Sequence, residues 1–172
     1  MLIQENLVLP RARCRIHHER AYDFDFKTGL FVYRPVDEDE EVLNEITNAG
    51  RIQLHTFCYG TASRVNGLNY LALSNDSTAP APTDTVLTSE LTGNGLDRVQ
   101  GTVTLPTGSG NQTTIQTVFT YLGVSSQGVQ KTALFDTIGP PPAGVMVHEL
   151  AFTQRVLYTN DTLTLSVVIA LG

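Results

Sequence analysis

The stretch DTLTLSVVIAL, Asp161–Leu171, decides the fold. Leu163, Leu165, Val167, Ile169 and Leu171 fall on every second residue, and Thr162, Thr164, Ser166 and Ala170 fill the gaps, with Val168 the one break in the polar row. Side chains on a strand alternate between two faces, so this stretch carries an apolar row on one face and a mostly hydroxyl row on the other. A strand this apolar has to be zipped into a sheet and covered by a second layer.

Working back from it, the chain from residue 61 onward reads as short strands separated by turn signals about every ten residues. NYLAL (Asn69–Leu73) suits an inner strand, and Ser74–Ser77 is turn chemistry. Thr83–Leu91 could form a helical turn or two, with Val86, Leu87 and Leu91 inward. Arg98–Leu105 reads as a strand and PTGSGN (Pro106–Asn111) as a hairpin loop. Thr113–Leu122 follows as a strand, with Ile115, Phe119 and Tyr121 on one face, and then Val129–Phe135. Pro140–Pro142 is a stiff loop. Val145–Phe152 and Arg155–Tyr158 are two strands or one bent strand, turning through Tyr158–Asp161 into the last. The expectation is a mainly β fold, a jelly-roll-like β-sandwich over residues 61–172, with no helix long enough to cover a parallel sheet.

The first 60 residues differ in composition. Residues 1–55 carry seven of the eleven Lys+Arg and ten of the seventeen Asp+Glu. Arg11, Arg13 and Arg15 alternate with Ala12, Cys14 and Ile16; Tyr22, Phe24 and Phe26 alternate with Asp23, Asp25 and Lys27. A hairpin turning at His18–Arg20 would set Arg15 against Asp23 and Arg13 against Asp25. Lys27-Thr28-Gly29 offers a further turn into a strand Leu30–Arg34, closed by Pro35. Residues 1–36 are therefore expected to form an extended β-rich arm, which at ~3.3 Å per residue would span on the order of 100 Å. The alternative is that they add strands to the same sandwich. Arg11, Arg13, Arg15, Tyr22, Phe24, Phe26, Phe31 and Tyr33 are the candidate partner contacts, because aromatics and arginine concentrate in protein interfaces. Residues 37–60 read as an acidic helical link: Asp37–Glu41 suits a helix start, Val42, Leu43 and Ile46 have helical spacing, and Asn48 suits the cap of a second short helix that Gly50 weakens.

The bulk numbers narrow the function. A net charge of −6 argues against a general nucleic-acid binder. No apolar run is long enough for a membrane span, and the opening MLIQENLVLPRARCRIHHER lacks the pattern of a signal peptide. Two cysteines are too few for a disulfide scaffold, although a Cys14–Cys58 bridge could tie the arm down. Cys14-x2-His17 with His55-x2-Cys58 could make a tetrahedral zinc set, but one half is reversed, and buried thiols with surface histidines account for these residues better. His148-Glu149 lacks the second histidine of a zinc-protease motif and reads as an exposed or interface pair. Asn75 and Asp76 read as a turn rather than a calcium site. No nucleophile–base set or paired carboxylates stand out, so no catalytic residue, metal or cofactor is expected.

Several strings resemble tailed-bacteriophage structural proteins: Gly67-Leu68-Asn69-Tyr70-Leu71-Ala72-Leu73-Ser74, TAPAPTDTVL (Thr78–Leu87), Glu90-Leu91-Thr92, VQKTALF (Val129–Phe135), FTQRVL (Phe152–Leu157), Asp161-Thr162-Leu163-Thr164 and Thr47-Asn48-Ala49-Gly50-Arg51. The resemblance covers residues 44–172. It implies a non-enzymatic virion protein made in the host cytoplasm: a decoration (cement) protein on the capsid surface, with the major capsid protein as partner and a homotrimeric state. Tail, neck or fibre-attachment proteins share such domains and are the first alternative. A glycan-binding sandwich is the second, although loops such as PTGSGN carry no aromatic residue.

Overall fold

The computed structural model describes residues 11–25, 30–36, 40–50, 67–105, 112–139 and 141–170. Ten strands are defined: β1 Arg11–Asp25, β2 Leu30–Pro35, β3 Glu40–Ile46, β4 Tyr70–Ser74, β5 Val99–Gln100, β6 Thr102–Thr104, β7 Gln112–Thr120, β8 Gln127–Phe135, β9 Met146–Leu157 and β10 Thr162–Ala170. All pairings are antiparallel, in the order β5-β4-β8-β9-β3-β1-β10-β7-β6, with β2 added to β1. The path folds into a sandwich because two segments pass from one sheet to the other. Glu40–Asn44 of β3 pairs with β1, and its last residues, Glu45 and Ile46, pair with β9. On the other side β5 pairs with β4 and β6 with β7, with Gly101 between them. A Cβ on Gly101 would lie 2.7 Å from Ile115 Cγ2 and 3.1 Å from Leu71 Cδ1, so this crossing has no room for a side chain. The strand expected over Arg98–Leu105 is therefore two strands in different sheets.

The closing strand lies where its pattern demands. β10 runs between β1 and β7. Its Leu163, Leu165 and Val167 are buried with Cys14 and Ile16 of β1 and Ile115 and Phe119 of β7. Against them pack Leu71 and Leu73 of β4, Val129 and Leu134 of β8, and Leu150, Phe152 and Leu157 of β9. Each fully buried aliphatic or aromatic side chain here contributes on the order of 1.5–3 kcal/mol. β9 is one strand whose register against β8 shifts between Val129 and Lys131.

The outer face of the second sheet is also covered. Tyr70, Ala72, Ala133, Phe135 and Met146 pack with Leu87 in a smaller core beneath the long connection from β4 to β5. That connection holds no helix: Thr83–Leu91 is a chain of turns in which Leu87 is buried and Val86 exposed. The helical expectation fails because Leu87 works as a single plug and the segment is fixed by tertiary bonds, Leu91 N–H to Leu73 O and Ser74 Oγ to Thr88 O.

Two expectations for the N-terminal part are also corrected. Val42, Leu43 and Ile46 stand on a strand, where Glu40 accepts from Arg155 and Glu41 lies 3.6 Å from Arg15. Tertiary partners for the acidic side chains and a packed Val42 outweigh the local helical spacing. The hairpin at His18–Arg20 is absent: β1 runs straight through these residues, and Arg15 pairs with Ser166 on one side and Glu41 on the other. The strand-adding alternative therefore describes residues 11–19. Helix does begin at Asn48, one residue after its cap: Thr47 Oγ1 accepts the Gly50 N–H at 2.9 Å. A side chain on Gly50 would collide with the Val147 carbonyl, so the glycine that weakens the helix permits its contact with β9.

Candidate interaction surface

Beyond Glu19 the strand β1 leaves the sandwich. Its pairing with β10 ends at Glu19–Thr162, and its pairing with β2 starts at Glu19–Pro35 and runs to Asp25–Leu30. The register slips between Ala21 and Asp23, so Tyr22 is an inserted bulge residue. Among the described residues the result is a two-stranded ribbon formed by residues 19–25 and 30–35. Every residue of β2 is exposed. Leu30 is 67% exposed, Phe31 43%, Val32 40% and Tyr33 36%. Adjacent residues point to opposite faces, so apolar surface is bare on both sides of the ribbon. Phe31 and Tyr33 share one face and meet edge to face at 6.5 Å.

The base of the ribbon is fastened to the body by one carboxylate. Asp161, fully buried, accepts from the Tyr158 N–H at 2.9 Å and from Arg20 Nε at 3.4 Å. His18 Nε2 lies 3.3 Å from the same Oδ2. The Arg20 guanidinium also stacks 4.6 Å from the Tyr158 ring, and the Val36 N–H donates to the His18 carbonyl. Asp161 can serve both elements because its turn, closed by its own N–H to Tyr158 O with Asn160 at φ +70°, presents the carboxylate to β1. This clamp was not visible in the sequence, where His18 and Asp161 are 143 positions apart.

The candidate contacts divide accordingly. Arg11 and Arg13 lie on the part of β1 within the sheet, opposite Ala170 and Val168. Arg15 is exposed and 3.6 Å from Glu41, a separation at which a surface pair contributes little. Tyr22 and Phe24 belong to the ribbon strand, Phe24 directly across from Phe31. Phe31 and Tyr33 are on β2, and Phe26 lies outside the described residues, as does the expected turn Lys27–Gly29. The structure thus brings Tyr22, Phe24, Phe31 and Tyr33 together on one ribbon and leaves the three arginines on the body.

Further buried ionic groups lie under the β4–β5 connection. Lys131, almost fully buried, reaches Asp76 at 2.6 Å and Glu149 at 3.1 Å. Burial and a hydrogen bond with Asp84 push the Glu149 carboxyl up to about 7 against the pull of Lys131. Hydrogen bonds from Lys131 and Thr78 hold Asp76 below the usual carboxylate range. Arg98 donates to both oxygens of Glu90 at 3.0 and 2.8 Å, and its remaining NH1 donates to the Thr137 and Ala143 carbonyls. Its guanidinium lies 3.6 Å from the Phe135 ring centre. A cavity of about 380 Å³ opens beside this pair, lined mainly by Val86, Leu87, Phe135, Pro141 and Pro142. Four of the five guanidinium N–H donors of Arg98 are engaged, so the arrangement pins the connection to the sheet.

The expected exposed pair His148-Glu149 is corrected: both are buried, 1% and 2% exposed. Desolvation lowers the His148 imidazole to about 4, so it is neutral near pH 7. Cys14 is a buried free thiol pushed up to about 12, which makes it an unreactive core residue. Its suggested partners, His55 and Cys58, lie outside the described residues. Among the described residues no group of three or more His, Cys, Asp or Glu could hold a metal, and no helix is long and apolar enough to cross a membrane.

No protein-family model matches the chain, and no curated protein is significantly similar to it.

Proposed function

We propose that the protein is a non-enzymatic structural component of a tailed-phage virion, a capsid decoration protein that binds the major capsid protein and bridges neighbouring subunits. The observation that carries this reading is the ribbon: four consecutive apolar residues, Leu30–Tyr33, exposed on both faces and clamped to a sandwich through Asp161. Apolar surface left bare on an ordered ribbon is the signature of a contact made with another chain. The sequence resemblance supports the virion and the trimeric state, the spacing of strands and turns supports a jelly-roll-like path, and the ribbon supplies a means of adhesion. Each copy on the capsid surface would contribute a modest contact, and many copies together would resist internal pressure without chemistry.

The test is copy number. In virions carrying this chain, quantitative mass spectrometry should find hundreds of copies per particle. Six or twelve would move the protein to the tail or neck, the competing place that the same resemblance allows. Absence from purified particles would overturn the virion reading.

A further inference from the structure

The long connection from β4 to β5 is held to the outer face of the second sheet in two unlike ways. Its later half is fixed by an apolar plug, a backbone bond and an arginine pair: Leu87 fills the smaller core, Leu91 N–H donates to Leu73 O, and Glu90 accepts from Arg98. Its earlier half, residues 75–84, is fixed mainly by ionisable groups. Asp76 accepts from Lys131 Nζ at 2.6 Å, Lys131 also reaches Glu149 Oε1 at 3.1 Å, and Glu149 is hydrogen-bonded to Asp84. Three carboxyl groups thus meet one ammonium, and Lys131 and Glu149 are each only 2% exposed.

An ionised carboxylate only accepts hydrogen bonds, so two carboxyl groups bonded to each other must hold a proton between them. Asp84 Oδ2 already accepts the Ala81 N–H at 2.7 Å, whereas Glu149 Oε2 is buried and finds no donor among the described residues. The proton therefore sits on Glu149, which donates it to Asp84. We infer that residues 75–84 form a proton-operated flap, closed on β8 and β9 while Glu149 shares its proton with Asp84 and lifting more often once that proton is lost. Losing it sets two bare carboxylates against each other, with Lys131 alone to offset them. Asp84 is on the flap and Glu149 on the sheet, so the repulsion acts to part the two.

The groups around Glu149 do not replace the proton. In line with it stand Ala133 of β8 and Ala72 of β4, neither of them ionisable. His148, the preceding residue of β9, faces the opposite side of the sheet and is neutral near pH 7. Glu45 is opposite Glu149 in the β3 register, and a like charge at that position would favour the same protonated form. Two neutral hydrogen bonds, Asn48 N–H to Pro82 O and Gln130 Nε2 to Asn75 O, oppose opening at every pH, so the proton sets how often the flap opens. The closed flap holds Glu149 at about 7, against an ordinary 4.5 once it is open. Opening therefore grows more frequent as pH climbs from 4.5 to 7, by on the order of a hundredfold, and levels off above 7. Nothing in this device depends on the virion reading.

The experiment is amide hydrogen exchange of the full chain, read by NMR at stepped pH between about 5 and 8, with each rate divided by its intrinsic rate. The Ala81 and Asp84 amides are bonded within the flap, to Asp84 Oδ2 and Ala81 O. They should lose protection by about thirtyfold from pH 5 to 7 and little beyond. The Leu91 amide, in the later half, should change far less. In Glu149→Gln the side-chain amide can donate to Asp84 without a shared proton, so the flap amides should show a flat profile. Should that variant misfold, Asp84→Asn replaces it: its amide donates to an ionised Glu149, and the profile should again be flat. A flat profile in the parent, an unchanged slope in the variant, or Leu91 falling in step with Ala81 would overturn the inference.

Discussion

The body of the sandwich and the ribbon are built from the same kind of sequence and meet opposite fates. β10 and β2 both alternate side chains across a pleat, and both carry Leu, Val or aromatic residues. In β10 the apolar row Leu163, Leu165, Val167 is sealed between two neighbouring strands and an opposing sheet. In β2 the apolar residues stand on both faces and stay exposed. Period two therefore fixes that a segment is a strand, whereas burial depends on what lies across from it. A strand with an apolar row on one face asks for one partner layer. A strand apolar on both faces, as β2 is, stays exposed among the described residues.

If the body holds the fold and the ribbon does not, substitutions should separate the two. The largest effect is expected at Phe119, buried in the main core: Phe119→Ala should cost about 3–5 kcal/mol in denaturant unfolding. A loss under 1 kcal/mol would mean that the two sheets are not held together as described. Close behind comes Arg98→Ala, which strands a buried Glu90 and should cost about 3–5 kcal/mol. Asp161→Ala removes the acceptor shared by Arg20 and Tyr158 and should cost about 1–3 kcal/mol, with amide exchange rising first in residues 19–25. Uniform loosening of the whole chain would show that Asp161 is a body residue and not the ribbon's clamp.

A pH titration sharpens the body side. Glu149 rises from 4.5 to about 7 on folding. The folded protein therefore keeps a proton that the unfolded chain has released, and this contribution, complete below pH 4.5, is lost as pH climbs to 7. His148 falls from 6.5 to about 4, so its contribution is present above pH 6.5 and lost as pH drops to 4. The two slopes oppose each other between 4.5 and 6.5. Glu149→Gln should leave the histidine slope alone, so that variant should gain stability over this window more steeply than the parent in melts at stepped pH. Parallel curves would contradict the buried placement of Glu149. The smallest effect belongs to the ribbon: Leu30→Ser should change stability by no more than about 0.5 kcal/mol while weakening attachment to particles.

Much of this was legible in the chain. The closing strand, the inner rows Ile115–Phe119–Tyr121 and Leu71–Leu73, and the strand after Gly29 follow from alternation and turn residues, because those signals are local. What was not legible depended on distant neighbours. Glu40 and Glu41 look like a helix start until Arg155 and Arg15 stand beside them. His18–Arg20 looks like a turn until β10 and β3 flank β1 on both sides. Lys131 and Glu149 carry no sign of burial in a sequence that places Asp76 and Asp84 more than forty residues away. At the candidate surface the aromatics were readable as a group, but the arginines assigned with them belong to the body.

Removing residues 1–35 cannot test the ribbon, since that would also delete the strand between β3 and β10. Amide hydrogen exchange along β1 in dilute protein tests it directly. Slow exchange from Cys14 to Glu19 with fast exchange in Asp23–Asp25 and Leu30–Arg34 is the predicted result. Equal protection on the two sides of Ala21 would contradict the claim that the ribbon lacks a core of its own.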